Sequence, residues 1–232
     1  MSRASKWIDR GSYFESTAKQ NTPEWLEARF GRVNGSDTGA LAGKSIFKTP
    51  EEKGKIIAGI ETESFKPENL EAMEWGHRFE PVCRRWYEKT YRCKILERGS
   101  CVSKQDPIIA SSVDGEIISQ DGLIEIKCPK KMYAPIIKYM EMKKQGWNPG
   151  PHFYDHIWET HLAQMMQAMF VLKKSFCDYI VYSTDDSQVF VQRVHFDPVY
   201  WAKHYATVKR NYTLYVQPYL PKNYNPVPRC DS

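Results

Sequence analysis

The stretch PIIASSVDGEIISQDGLIEIKCPK, Pro107 to Lys130, holds three residues whose types and spacing could do chemistry: Asp114, Glu125 and Lys127. An acid followed, after ten intervening residues, by Glu-x-Lys supplies the residue types that metal-assisted hydrolysis uses. Two carboxylates converge on a hard cation such as Mg²⁺, which prefers oxygen ligands, and the neighbouring ammonium can orient or help deprotonate an attacking water. The same three residues could instead form a salt-bridge cluster on a half-exposed sheet, because an E-x-K pair suits any solvated face.

To act together, these residues need a hairpin. Gln120-Asp121-Gly122 is a turn signal between the Ile108–Gly115 segment and the apolar run Leu123 to Cys128. Side chains alternate along a strand, so Glu125 and Lys127 share one face while Ile124 and Ile126 point to the other, into the core. Upstream, Leu70 to Tyr91 reads as a helical region with Leu70, Met73, Phe79, Cys83, Trp86 and Tyr87 as its apolar stripe. Pro81 predicts a bend there, and Glu80, at the edge of the stripe, can face a metal or stand at the surface of the kink.

A second cluster lies nearer the start. Thr22-Pro23 opens a short helix that runs through Trp25 to Arg29 and stops at Gly31, and Ser36-Asp37 can cap another over TGALAG. Ser36 at a helix N-terminus with Arg29 close upstream is either an anion site or an ordinary cap beside a surface arginine. Beyond the hairpin, Lys127, Lys130, Lys131, Lys138, Lys143 and Lys144 make the most basic segment, interleaved with Tyr133 and Tyr139. Next to a hydrolytic hairpin such a run suits phosphate contact better than a merely solvated face.

The Gly/Pro-rich segment 146–156 reads as a flap over the site, and Asp155 to Lys174 as a helix whose polar members nearest the site are His161 and Gln164. Thr49 to Ile60 is a polar helix, Lys94 to Val102 a strand, Cys177–Tyr182 and Val189–Val194 a hairpin, and Phe196 to Val216 the last helix. At 232 residues the chain suits one domain, read as an N-terminal arm over 1–21, a catalytic domain over 22–217 and a Pro-rich tail over 218–232. Lys and Arg exceed Asp and Glu by 33 to 28, a mild excess compatible with a polyanionic partner. Six dispersed cysteines suggest neither a zinc ribbon nor an iron–sulfur cluster nor a disulfide framework. No apolar run approaches a membrane span and the polar start lacks a signal-peptide core, so the expected protein is soluble, intracellular and not secreted.

Taken in order, the blocks match a family pattern. They are Trp25, Arg29, Gly31, Gly35 and Ser36 for W-x(3)-R-x-G-x(3)-G-S; Trp75, Gly76 and Glu80 for W-G-x(3)-E; Ser112, Asp114 and Gly115 for S-x-D-G; Glu125, Lys127, Cys128 and Pro129 for E-x-K-C-P; and Ala163-Gln164. From about Trp25 to Val194 the chain resembles the lambda exonuclease, or YqaJ-type viral recombinase, family of PD-(D/E)xK nucleases. The resemblance implies an α/β fold: a single-domain, restriction-endonuclease-like core with a mixed central sheet flanked by helices. It implies a Mg²⁺-dependent 5′-to-3′ exonuclease on double-stranded DNA ends, serving viral or phage-type recombination, repair or replication. Asp114, Glu125 and the Ile126 carbonyl would hold Mg²⁺, with Mn²⁺ able to substitute, Glu80 and Gln164 would assist and Lys127 would position the water. Arg29, Ser36 and Ser112 would hold a terminal 5′-phosphate. The basic segment is not clearly matched by the family pattern, and on its charge alone Lys130, Lys131, Lys143 and Lys144 are expected to contact the duplex. Processivity in the family comes from a trimeric ring, which makes a homotrimer an expectation here, and a single-strand annealing protein is the candidate partner. Two other functions stay open: a structure-selective or site-specific endonuclease, since D…E-x-K does not choose between ends and interior, and a non-catalytic DNA-binding module, which would keep the lysines without needing the acids.

Overall fold

The computed structural model describes residues 6–20 and 22–230; the remaining positions of the arm and tail lie outside the described residues. In chain order the elements are β1 (Trp7–Asp9), β2 (Tyr13–Ser16), α1 (Pro23–Arg29), α2 (Gly35–Leu41), α3 (Pro50–Ile57), α4 (Pro67–Tyr91), β3 (Ile95–Leu96), β4 (Cys101–Ser103), β5 (Ala110–Ser111), β6 (Gly115–Ile117), β7 (Gly122–Lys127), α5 (Ala134–Lys144), α6 (Glu159–Leu172), β8 (Phe176–Ser183), β9 (Gln188–His195) and α7 (Pro198–Tyr215), with a 3₁₀ turn at Gln217–Tyr219.

The expected hairpin is β6–β7, antiparallel with Gly115 opposite Ile124 and Ile117 opposite Gly122. It sits inside a five-stranded sheet of order β3-β6-β7-β8-β9. All neighbours run antiparallel except β7 and β8, which pair in parallel from Gly122↔Phe176 to Lys127↔Val181. A parallel pair needs a crossover, here α5 and α6, and crossover helices cover sheet faces. The sheet is therefore mixed and flanked by helices, as expected. Both faces of β7 are buried: Leu123 joins Met165, Met166 and Met169 of α6, while Ile124 and Ile126 pack with Cys83 and Tyr87 of α4. The sequence reading assigned the core to the isoleucine face alone, yet Glu125 is itself only 2% exposed.

Several local expectations change. Within the stretch read as a loose arm, β1 and β2 form a hairpin that extends β4 and β5 into a four-stranded antiparallel sheet. Its Glu15, buried, is held by Arg10 at 2.7 Å and Arg98 at 3.2 Å. Strands of three or four residues carry too little alternation to be read from sequence. Lys94 to Val102, read as one strand, is split between the two sheets as β3 and β4. α4 runs as one helix through Pro81, which lies on its exposed side while Cys83 and Tyr87 are packed against β7 beyond it. The 146–156 segment is no flap over the acids: Phe153 and His156 stack on Tyr139 of α5, with ring centroids 6.2 and 3.7 Å away, and Trp147 packs edge-on against the same ring. Among the described residues no helix is long and apolar enough to cross a membrane.

Candidate active site

Asp114 precedes β6 by one residue, and the hairpin register carries it beside the far half of β7. Its Oδ2 accepts a 2.6 Å hydrogen bond from the Ile126 backbone N–H. One residue either side of Ile126, Lys127 Nζ donates to Glu125 Oε1 at 2.6 Å. Glu80 arrives from α4, where Arg84, one turn on, holds it at 2.6 Å. Arg84 also donates to the Asp114 carbonyl at 3.1 Å and pairs with Glu97 at 2.6 Å. Glu80, Asp114, Glu125, Ile126, Lys127 and Gln164 all line one cleft of about 760 Å³, ample for a nucleotide-sized ligand.

Burial governs the charges here. Desolvation pushes the Glu125 carboxyl up to about 8 against the pull of Lys127, and Asp114 adds to the rise. Glu80 is pushed up to about 7 by desolvation and by Asp114, and Asp114 is itself raised by burial. Lys127, although desolvated, is held above its ordinary value by Glu125 and Asp114. Three acids in one partly desolvated cleft cannot all ionise cheaply without added positive charge, and with the Ile126 carbonyl they make an all-oxygen donor set, so they suit a hard divalent cation. Among the described residues no three His, Cys, Asp or Glu side chains stand close enough together to grip an ion as they are. Each acid is engaged instead by an internal donor: Ile126 N–H, Lys127 or Arg84.

A second cleft, of about 680 Å³, contains Arg29, Ser36 and Ser112 and shares Glu80, Asp114 and Gln164 with the first. Arg29 ends α1 and donates to Ser36 Oγ at 3.0 Å. Its guanidinium lies 4.3 Å from the Trp25 ring centroid and 3.6 Å from Asp37. α2 begins at Gly35 with Asn34 as its N-cap residue, two residues before the Ser36-Asp37 cap expected from sequence. At this start of α2 a Cβ on Gly35 would stand 3.2 Å from both Gln164 Cγ and Ser111 Oγ, a tight fit that glycine avoids where α2 meets α6. Among the described residues, Ser112 Oγ, Asn34 Oδ1 and Trp25 Nε1 are buried without a hydrogen-bond partner around this cleft.

Two contributors went unread in the sequence. Lys53 of α3 is buried and bridges Asp37 at 3.1 Å and Glu63 at 2.6 Å, beside Arg29. Arg84 ties Glu80 to Asp114, and its only sequence signal is the i, i+4 spacing from Glu80. The basic segment divides. Lys130 stands at the mouth of the acidic cleft, paired with Glu71 and 5.0 Å from the Trp75 ring, whereas Lys143 and Lys144 line a separate groove with Arg193 and His195 of β9. Lys131 is exposed and lines neither cleft.

Residues 24–175 match the YqaJ-like viral recombinase domain. The chain belongs to this family. The matched span takes in Arg29, Ser36, Glu80, Ser112, Asp114, Glu125, Lys127 and Gln164, and leaves β8, β9, α7 and the tail outside it. In fold the chain is similar to the alkaline exonuclease LHK-Exo of Laribacter hongkongensis, solved alone and in complex with dAMP, with a TM-score of 0.64 and 24% identity over 85% of this chain and 94% of that one. It is also similar to a phage-related exonuclease from Haemophilus somnus 129PT, with a TM-score of 0.50 and 12% identity over 81% and 93% of the two chains. No curated protein matches the sequence.

Proposed function

We propose that the protein is a metal-dependent deoxyribonuclease that degrades double-stranded DNA from its ends, 5′ to 3′. The observation that supports this most is the continuity of the two clefts through Glu80, Asp114 and Gln164. An arginine pocket with unpartnered hydroxyl and amide groups opens directly onto a cluster of buried and half-buried acids. A terminal phosphate held in the one would present a phosphodiester to the other.

Asp114, Glu125, the Ile126 carbonyl and Glu80 would hold Mg²⁺, or Mn²⁺ in its place. Such an ion, when bound, polarises the scissile phosphate and acidifies a water. The chain's own groups do the rest. Lys127 keeps its proton at neutral pH, so it orients the attacking water by charge and hydrogen bonding and leaves proton removal to other groups. Arg84 holds Glu80 against the Asp114 backbone and so fixes helix α4 to the hairpin. The Gln164 amide, in the wall common to both clefts, can hydrogen-bond the substrate between its terminal and scissile phosphates. Arg29 offers a planar fork suited to a phosphate dianion, and the Ser36 and Ser112 hydroxyls complete the pocket. LHK-Exo, an exonuclease of this fold, binds dAMP, a mononucleotide of the kind that end-wise hydrolysis releases.

The test compares linear with circular duplex, each strand labelled at either end, in Mg²⁺, Ca²⁺ and EDTA. Release of mononucleotides from the 5′ end of linear duplex in Mg²⁺, with Ca²⁺ supporting binding but little cutting, is the expected result. Cutting of closed circles would move the endonuclease reading to first place, and full activity in EDTA or in Asp114→Ala would refute the site.

A further inference from the structure

The short connection after Arg29 is held from behind by the far end of the chain. Phe30, Gly31 and Arg32 link α1 to the Asn34 cap of α2, so their conformation sets where Arg29 and Ser36 stand relative to each other. Tyr224 donates to the Phe30 carbonyl at 3.1 Å and lies edge-on to its ring, with centroids 5.9 Å apart. Tyr212 of α7 donates to the Gly31 carbonyl at 2.9 Å. Arg32, buried, donates through Nη2 to the Pro226 carbonyl at 2.7 Å and through Nη1 to the Ala28 carbonyl at 2.8 Å. Gly31 has φ +67°, and a Cβ there would fall 2.6 Å from the Tyr224 ring. Its glycine is thus required twice, by the backbone and by the ring that covers it.

We propose that the segment Tyr224–Pro226 is a positioning element for the arginine pocket, locking the Arg29–Ser36 pair, 3.0 Å apart, into the geometry that receives a terminal phosphate. The proposal rests on the end-recognition reading above. It assigns a role to a Pro-rich tail that lies beyond the family match at residue 175 and packs on the domain without a core of its own. Tyr224 and Pro226 touch neither cleft that holds the acids, so they act through Phe30 and Arg32. A loosened connection would let the guanidinium drift from Ser36 while leaving the β6–β7 hairpin untouched.

Initial rates on duplexes with a 5′-phosphate and with a 5′-hydroxyl give a preference ratio that a purely structural role would not move. Tyr224→Ala should lower that ratio about five-fold, with a much smaller fall on hydroxyl ends, while Tyr224→Phe, which keeps the ring on Gly31, should lower it only about two-fold. Thermal unfolding of each variant establishes that it is folded, and Tyr224→Phe carries the test if Tyr224→Ala is not. An equal fall on both substrates, or no fall on either, would overturn the positioning role. Arg29→Ala separates the two levels: if it abolishes the preference and Tyr224→Ala does not, only the tail proposal fails. Should wild type show no preference, or Arg29→Ala leave it intact, the pocket reading fails and takes this proposal with it.

Discussion

Arg29→Ala is the substitution with the sharpest consequence. The guanidinium is only 18% exposed at its side chain, sits on Trp25 and donates to Ser36, so its charge is partly desolvated and pre-aimed. Burial lowers its affinity for a proton, yet arginine stays charged throughout the working range. Removing it should leave the fold nearly intact, because Asp37, its acidic neighbour, keeps Lys53 at 3.1 Å. The variant forfeits a charge-assisted hydrogen bond to phosphate, worth about 1.5–3 kcal/mol, or roughly 10- to 100-fold in rate on a 5′-phosphorylated duplex. Hydroxyl ends, which give the guanidinium no dianion, should be slowed far less. Arg29→Lys should fall between the two, since an ammonium supplies the charge without the planar fork. The assay is the double ratio of initial rates, variant over wild type, phosphate over hydroxyl. A double ratio near unity would refute the pocket, and a large loss of thermal stability in Arg29→Ala would refute the claim that Lys53 suffices for Asp37.

Lys127→Ala should reduce cleavage by orders of magnitude with the chain still folded, since the hydrogen bond from Ile126 N–H to Asp114 that ties the hairpin does not involve the ammonium; the check is single-turnover cleavage beside a thermal melt, and an active variant would refute the role of the ammonium. Replacing Lys130, Lys131, Lys143 and Lys144 together by Gln should flatten the dependence of log affinity on log salt by roughly one for each phosphate that is no longer neutralised; a fall of only about one would assign binding to Lys130, at the cleft mouth, and an unchanged slope would make the whole segment a solvated face. His204, 3% exposed and bonded to Thr38 Oγ1 at 2.8 Å, has its pKa pushed down to about 4 by burial and by Lys44. Between that value and an unfolded pKa near 6.5 the unfolded chain binds the extra proton, so stability should drop as pH falls from about 7.5 to about 5, by roughly 2 kcal/mol, and level off below about pH 4. Denaturant unfolding of wild type and His204→Gln checks it: the variant should lose that share of the pH dependence, and identical pH profiles would refute the assignment.

The sequence by itself determined the parts whose signal is local. The turn at Gln120–Gly122 and the alternation through Leu123–Lys127 specify the β6–β7 hairpin, so Asp114, Glu125 and Lys127 were readable as one cluster. α6, α7 and the β8–β9 hairpin were likewise legible within a few residues, since each is long enough to show its period and is bounded by caps or turns. Tertiary structure decided the rest. Glu80 meets Asp114 only because α4 passes through Pro81 and is pinned over β7 by Cys83 and Tyr87, a matter of packing that outweighs the local preference of proline. The 146–156 segment carries the composition of a mobile flap, but its rings pack on Tyr139 of α5, which holds it away from the acids. Lys53, Arg84 and Tyr224 act on partners that adjoin them in space, and for Tyr224 the partner, Phe30, lies 194 residues away. An interaction across such a separation leaves no period, cap or turn in the chain, because its partner is chosen by how the elements pack, and that is settled only when the whole fold closes.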